Sequence, residues 1–187
     1  MSGHLRRFTP LQRALHWLMA ACILAMLFIG VGMVSTIAPE YVPLVSIHKS
    51  LGIAILVLAL VRLTVRLRRG APPLPASVPE PVRLAAHASH YAFYVLMIGM
   101  PLLGWGMLSA ADYPVVLFGG LRLPAILPHS DTLHALLWSA HYYCAFAFFA
   151  LILLHLAAAL FHALVRRDGV FEAMGPALGG NAPAPAE

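Results

Sequence analysis

The sequence is poor in charge. Of its 187 residues only 10% are Asp, Glu, Lys or Arg, where soluble domains carry roughly 25%, so a water-soluble globular domain is excluded. Cysteine is scarce as well. Cys22 and Cys144 both lie inside apolar runs, with no CxxC, no CxxCH and no acidic cluster in the chain. A disulfide scaffold, a zinc site and a covalently attached c-type haem are therefore disfavoured. The basic balance, net +5 with a pI near 9.7, does not describe a nucleic-acid binder, because the Arg and Lys residues flank apolar runs and form no patch interleaved with aromatics.

What is present in excess is apolar: 61% of the residues are hydrophobic and the mean hydropathy is +0.84. The chain reads as an all-α integral membrane protein, a single domain over 1–175 with spans at about 11–34, 46–67, 84–111 and 132–165. The first span follows His4, Arg6, Arg7 and Arg13. Its uncharged run, 14–39, exceeds the roughly 7–15 residues of a signal-peptide core, so it is read as retained, although Thr36, Ile37 and Ala38 resemble a weak cleavage site. In the second span the uncharged stretch 50–61 is short of the roughly 20 residues a crossing needs, so Lys49 and Arg62 must snorkel or meet an anionic partner. A proline-rich linker at 71–81 cannot continue a helix. The third span carries His87 and His90 near its start and Pro101 near its middle, where a kink is expected. A loop at 112–131, punctuated by Pro and Gly, precedes the fourth span, which Arg166, Arg167, Asp168 and Gly169 close. The Pro, Gly and Ala tail at 176–187 is expected to be disordered.

The arginines orient the bundle. Arg6, Arg7, Arg13, Arg62, Arg66, Arg68, Arg69, Arg83, Arg166 and Arg167 fall on one side, with only Lys49 and Arg122 on the other. The positive-inside rule then puts both termini in the cytoplasm.

Histidine is the residue that composition alone does not explain. The fourth span carries His134, His141, His155 and His162, at separations of 7, 14 and 7, and steps of seven return nearly to one helix face. An imidazole is costly in apolar surroundings unless something uses it. With the topology set, His16 and His155 share the cytoplasmic half, and His48 and His141 share the outer half. The fourteen residues between His141 and His155 span about 21 Å of helix, a spacing that stacks two iron-porphyrins, each held between imidazoles of different helices. Gly30, Gly32 and Gly52 are small residues that would let a flat macrocycle approach the backbone. His134, near the outer end of an over-long helix, is expected at the surface, and His4 and His129 in solvated loops.

These residues also carry a family pattern. Arg13-Ala14-Leu15-His16-Trp17, Ile47-His48-Lys49-Ser50-Leu51-Gly52, Val61-Arg62-Leu63, His87-Ala88-Ser89-His90 and Leu154-His155 followed by His162 resemble the bacterial cytochrome b561 family over about residues 8–175. The resemblance implies a four-helix, di-haem b protein of the bacterial inner membrane. It also implies that His16 and His155 ligate the cytoplasmic-side haem iron and His48 and His141 the outer one. The short branch of that family includes enzymes that oxidise superoxide at the periplasmic face and reduce ubiquinone. Longer members are cytochrome b subunits of hydrogenases and related dehydrogenases, which leaves an electron-conduit or anchor subunit as the alternative.

Quinone reduction consumes two electrons and two protons, so groups able to hydrogen-bond the quinone oxygens and relay protons are needed, and histidine suits both roles. His87, His90 and His162 lie near the cytoplasmic end, and His90 and His162 are expected to flank the bound ubiquinone. At the outer end Lys49 and Arg122 are the fixed cations that could attract superoxide or pair with haem propionates. Arg13, Arg62 and Arg166 are the corresponding candidates for the inner propionates.

Overall fold

Thr9 turns the incoming chain into a helix. Its hydroxyl accepts the Gln12 backbone N–H at 3.3 Å, the Gln12 carboxamide oxygen accepts the Thr9 N–H at 3.1 Å, and Pro10 takes the first helical position, where a missing N–H leaves nothing unpaired. The structure, a computed structural model, describes residues 7–37 and 39–175. His4, Arg6, the Ala38 end of the weak cleavage site and the 176–187 tail lie outside the described residues.

From Pro10 the chain forms α1 (Pro10–Ser35), α2 (Tyr41–Arg69), α3 (Glu80–Ala110) and α4 (Asp131–Phe161), which passes into a wider π-type turn (His162–Arg166) before a short α5 (Val170–Met174). The four long helices are each long and apolar enough to cross a membrane. Two boundaries move outward from the sequence reading. α2 begins at Tyr41 and α3 at Glu80, because Pro43 and Pro81 fall in first turns, where a proline removes no helical hydrogen bond. α3 continues through Pro101 as one helix.

The loop after α3 is more ordered than a chain of turns. Strands β1 (Val115–Val116) and β2 (Arg122–Leu123) pair antiparallel around a single 3-10 turn, Phe118–Gly120, so the all-α expectation holds for the spans and not for this loop. Ser109, 4% exposed on α3, anchors it: its hydroxyl accepts the Ile126 N–H at 3.2 Å and donates to the Trp105 carbonyl. The Ser50 hydroxyl on α2 accepts the Phe118 N–H, and Trp105 Nε1 donates to the Pro124 carbonyl.

The opposite end gathers both ends of the described chain. Phe8 N–H donates to the Ala173 carbonyl, Trp17 Nε1 to that of Met174, and Gln12 Nε2 to that of Gly70. Gly70 closes α2 with φ 71°, a conformation other residues adopt at a cost. Arg166 reaches the Ser77 carbonyl in the linker. The arginine-rich segments therefore share one end of the bundle. Between the two ends lies a small core of Met19 and Ile23 from α1, Ile55 and Ala59 from α2, Met97 from α3 and Phe148 from α4. The outward faces stay apolar and exposed, as suits a bundle whose solvent is lipid.

Replacing Ser109 with Ala removes the acceptor that holds Ile126. At about 1 kcal/mol for a lost hydrogen bond, the Ile126 amide should exchange with deuterium about fivefold faster, with the amides of α1 unchanged, as read by hydrogen-exchange mass spectrometry.

Candidate functional site

Close packing runs from α1 to α2, from α2 to α3 and from α3 to α4, and α4 makes no comparable contact with α1 or α2. Imidazoles face each other across that seam. His16 of α1 and His155 of α4 have ring centroids 6.3 Å apart, and His48 of α2 and His141 of α4 are 6.1 Å apart. Two metal–nitrogen bonds of about 2 Å each, together with the two ring radii, span such a separation. The Nδ1 atoms of His16 and His48 are buried and have no hydrogen-bond partner. Unpaired buried polar atoms cost about 1–3 kcal/mol apiece, a cost that is offset where the ring serves as a ligand.

Helical spacing explains how these rings come to face one another. Along α4, His134, His141, Phe148 and His155 recur every seven residues, with His162 next in step just past its end, so Phe148 stands on the histidine stripe midway between the two pairs. On α1 the buried side chains of Gln12, Met19 and Ile23 share the face that carries His16. On α2 Ile55 and Ala59, seven and eleven residues on, share the face of His48, while Ser50 turns to the loop. The core is thus a layer that separates two imidazole pairs. α3 completes both sites. A Cβ on Gly104 would lie 3.4 Å from His141 Cε1, so the glycine lets this ring rest on the α3 backbone. Phe93 packs edge-on against His155 at 5.1 Å and against Phe148 at 6.0 Å.

The other sequence candidates divide between this site and the two ends of the bundle. His90 shares the α3 face of Phe93 and Met97 by its spacing of three and seven residues, and its ring lies 6.2 Å from His155. His87 is exposed. His162 makes no ring contact with His90 among the described residues; its Nδ1 is 2.7 Å from Asp168 Oδ2, in a cluster that also holds Arg166 Nε at 3.1 Å. Arg166 is therefore committed to Asp168 and Ser77. Arg13 is half-buried and donates to the Gly175 carbonyl, whereas Arg62 lines a cleft with Gln12, Arg66, Tyr94, Phe8 and Met174. Lys49 is half-buried. Arg122 is exposed on β2 and lines a cavity of about 120 Å³ with Trp105, Asp112 and Tyr113, a cavity whose walls do not include Lys49. His134 corrects the surface expectation: it is half-buried and its Nδ1 lies 2.8 Å from the Met107 carbonyl, because the folded loop brings the start of α4 against α3. His129 is exposed, as a loop residue should be, and sits 3.3 Å from Asp112.

Sequence reasoning missed Asp168 and Gly104. Burial pushes the Asp168 carboxyl up, but the hydrogen bonds from His162 and the Val170 N–H and the charge of Arg166 outweigh it and hold the group below the usual carboxylate range. The anion's contribution is then complete above the ordinary carboxylate value of 3.8 and is lost as pH falls through the lowered folded value.

The family model described as prokaryotic cytochrome b561 matches residues 7–177. The chain belongs to the prokaryotic cytochrome b561 family. Relatives of this cytochrome include "Cytochrome b561 homolog 2" of Escherichia coli, 29% identical over 171 residues that cover 90% of each chain. "Probable superoxide oxidase CybB" of Yersinia pestis is 30% identical over 179 residues, 91% of this chain and 97% of the relative. "Cytochrome b561 homolog 1" of Escherichia coli is 26% identical over 180 residues, 92% and 98% of the two chains. Membership makes the protein a membrane electron-transfer cytochrome and implies haem b. The cytochrome's imidazole pairs fit that group, since imidazole nitrogen is an ordinary axial ligand of haem iron.

Gly104→Val puts branched carbons where the His141 ring now rests. It should lower bound haem in the purified cytochrome and disturb the haem absorption bands, with helix content by circular dichroism unchanged.

Proposed function

We propose that this cytochrome holds two b haems, one between His16 and His155 and one between His48 and His141, and carries electrons from superoxide to ubiquinone across the bacterial inner membrane. The observation that carries the reading is the pair of imidazole couples at 6.3 and 6.1 Å on either side of the buried layer that joins α4 to α1 and α2. The relative named as a probable superoxide oxidase supports the choice of donor. The count of basic residues puts both termini in the cytoplasm, so the end with Lys49 and Arg122 faces the periplasm.

Bound haem supplies one-electron exchange at iron, and the protein supplies ligation, spacing and charge. The fourteen residues from His141 to His155 hold the two sites about 21 Å apart along α4. Phe148 and its neighbours fill the layer between them and keep it dry. Lys49, next to His48, and the exposed Arg122 create a positive field that draws a small anion toward the outer site. At the other end Arg13 and Arg62 would pair with haem carboxylates. His90, beside His155, and His162 are the groups that bind and protonate the quinone. The overall reaction consumes two superoxide anions, one ubiquinone and two protons, and yields two dioxygen molecules and one ubiquinol.

The test is superoxide-driven ubiquinone reduction by the purified cytochrome, with haem reduction followed in the same cuvette. Rapid haem reduction with ubiquinol formation is expected. Haem that stays oxidised in superoxide yet reduces in dithionite would favour the conduit reading and a partner dehydrogenase. His141→Ala should remove about half of the haem per chain, leaving the site at His16 and His155 filled. The superoxide rate should fall steeply as salt is raised, and Lys49→Gln with Arg122→Gln should flatten that dependence.

A further inference from the structure

One imidazole of the α4 stripe is held by a carboxylate that a regular helix could not bring to it. If α4 continued unchanged, Asp168 would project about 240° around the axis from His162. Instead the backbone widens. The Arg167 N–H donates to the His162 carbonyl at 2.7 Å, and Arg167 and Gly169, with φ of 49° and 80°, fold the chain back on itself. Asp168 then meets the ring from outside the helix. Its Oδ2 lies 2.7 Å from His162 Nδ1 and pairs as an ion with Arg166 Nε at 3.1 Å, and its Oδ1 accepts the Val170 N–H at 3.3 Å. Arg166 is braced in turn by the Ser77 carbonyl at 2.8 Å. The side chains of His162 and Asp168 are only 11% and 8% exposed.

We propose that Asp168 is a positioning residue for proton delivery to the quinone, holding His162 with Nδ1–H on the carboxylate and Nε2 as the atom that exchanges protons. The inference rests on the quinone-reducing reading above and names a residue which that reading does not contain. A neutral imidazole can carry its proton on either nitrogen, and a carboxylate hydrogen-bonded to one of them decides which. With Nδ1–H committed to Asp168, the ring cannot turn over, and proton transfer is confined to Nε2. In each half of the reduction one electron reaches the quinone from the haem site and one proton passes from His162 Nε2 to a quinone oxygen. The emptied Nε2 takes a proton from water at the arginine-rich end. Two such events convert the quinone to the quinol. The charged groups around the ring are Asp168 and, through the shared oxygen, Arg166. α4 offers His155 as its one titratable side chain over 150–161, and Glu172 of α5 makes no ion pair with the cluster among the described residues.

The experiment uses the haem-loaded protein, reduced beforehand with dithionite and mixed in stopped flow with a short-chain ubiquinone analogue, at pH values from about 5.5 to 9. Asp168→Asn and Asp168→Ala should slow haem reoxidation about 10- to 100-fold, with the quinone KM changed by less than about threefold. Asp168→Asn should also change the shape of the pH–rate profile, because the carboxylate's charge is gone. Asp168→Glu should recover part of the rate. Asp168→Asn, nearly the same shape, tests the charge apart from folding, and the haem absorption spectrum reports whether each variant is intact. If Asp168→Asn keeps the wild-type rate and pH profile while His162→Asn is slowed, the quinone reading stands and the role of Asp168 is overturned. If His162→Asn is also unaffected, His162 is not the proton donor and both fall. Loss of haem in the Asn and Glu variants alike would make Asp168 structural and overturn the proposal.

Discussion

The rest of this bundle depends on the cost of an imidazole in an apolar interior. A polar ring taken out of water must find a partner or be used, and in lipid there is no water to relieve it. Here the rings of His16, His48, His141 and His155 face one another across a seam that α4 leaves open against α1 and α2. The apolar contacts are arranged around that fact. Met19, Ile23, Ile55, Ala59, Met97 and Phe148 form one buried layer, and it lies between the two imidazole pairs.

α3 supports the site without belonging to the facing pairs. It packs along α4, offers the bare backbone of Gly104 to His141, and turns His90 and Phe93 toward His155. Its far end anchors the loop through Ser109 and accepts His134. One helix therefore sets the depth and the rotation of α4. The two ends differ in charge chemistry: one carries a hairpin with an exposed Arg122, and the other a braced cluster in which Asp168 pairs with both Arg166 and His162. Such a difference suits a protein that meets a small anion at one face and a proton-coupled acceptor at the other.

Much of this was legible before any coordinates. Low charge and four long apolar runs made the membrane bundle unavoidable, and the spacing of seven placed the α4 histidines on one face. The facing of His16 with His155 and of His48 with His141 followed from depth alone, since both ends of each helix were bounded by charge or proline. The helix starts moved, because prolines in a first turn read as loop in a sequence and sit harmlessly in a helix. His134 was misplaced for a related reason: an over-long helix end looks exposed until the loop beside it is known to fold over α3.

Period and composition, then, determined the spans, the stripe and the pairs, because a helix repeats its faces at a constant angle and lipid tolerates few charges. The tertiary structure decided what repetition cannot express. A glycine seven residues along α3 from Met97 became the floor beneath His141, and Asp168, which a continuous helix would turn away, became the partner of His162. Both depend on one backbone approaching another or departing from 3.6 residues per turn, and neither departure is written in the order of side chains.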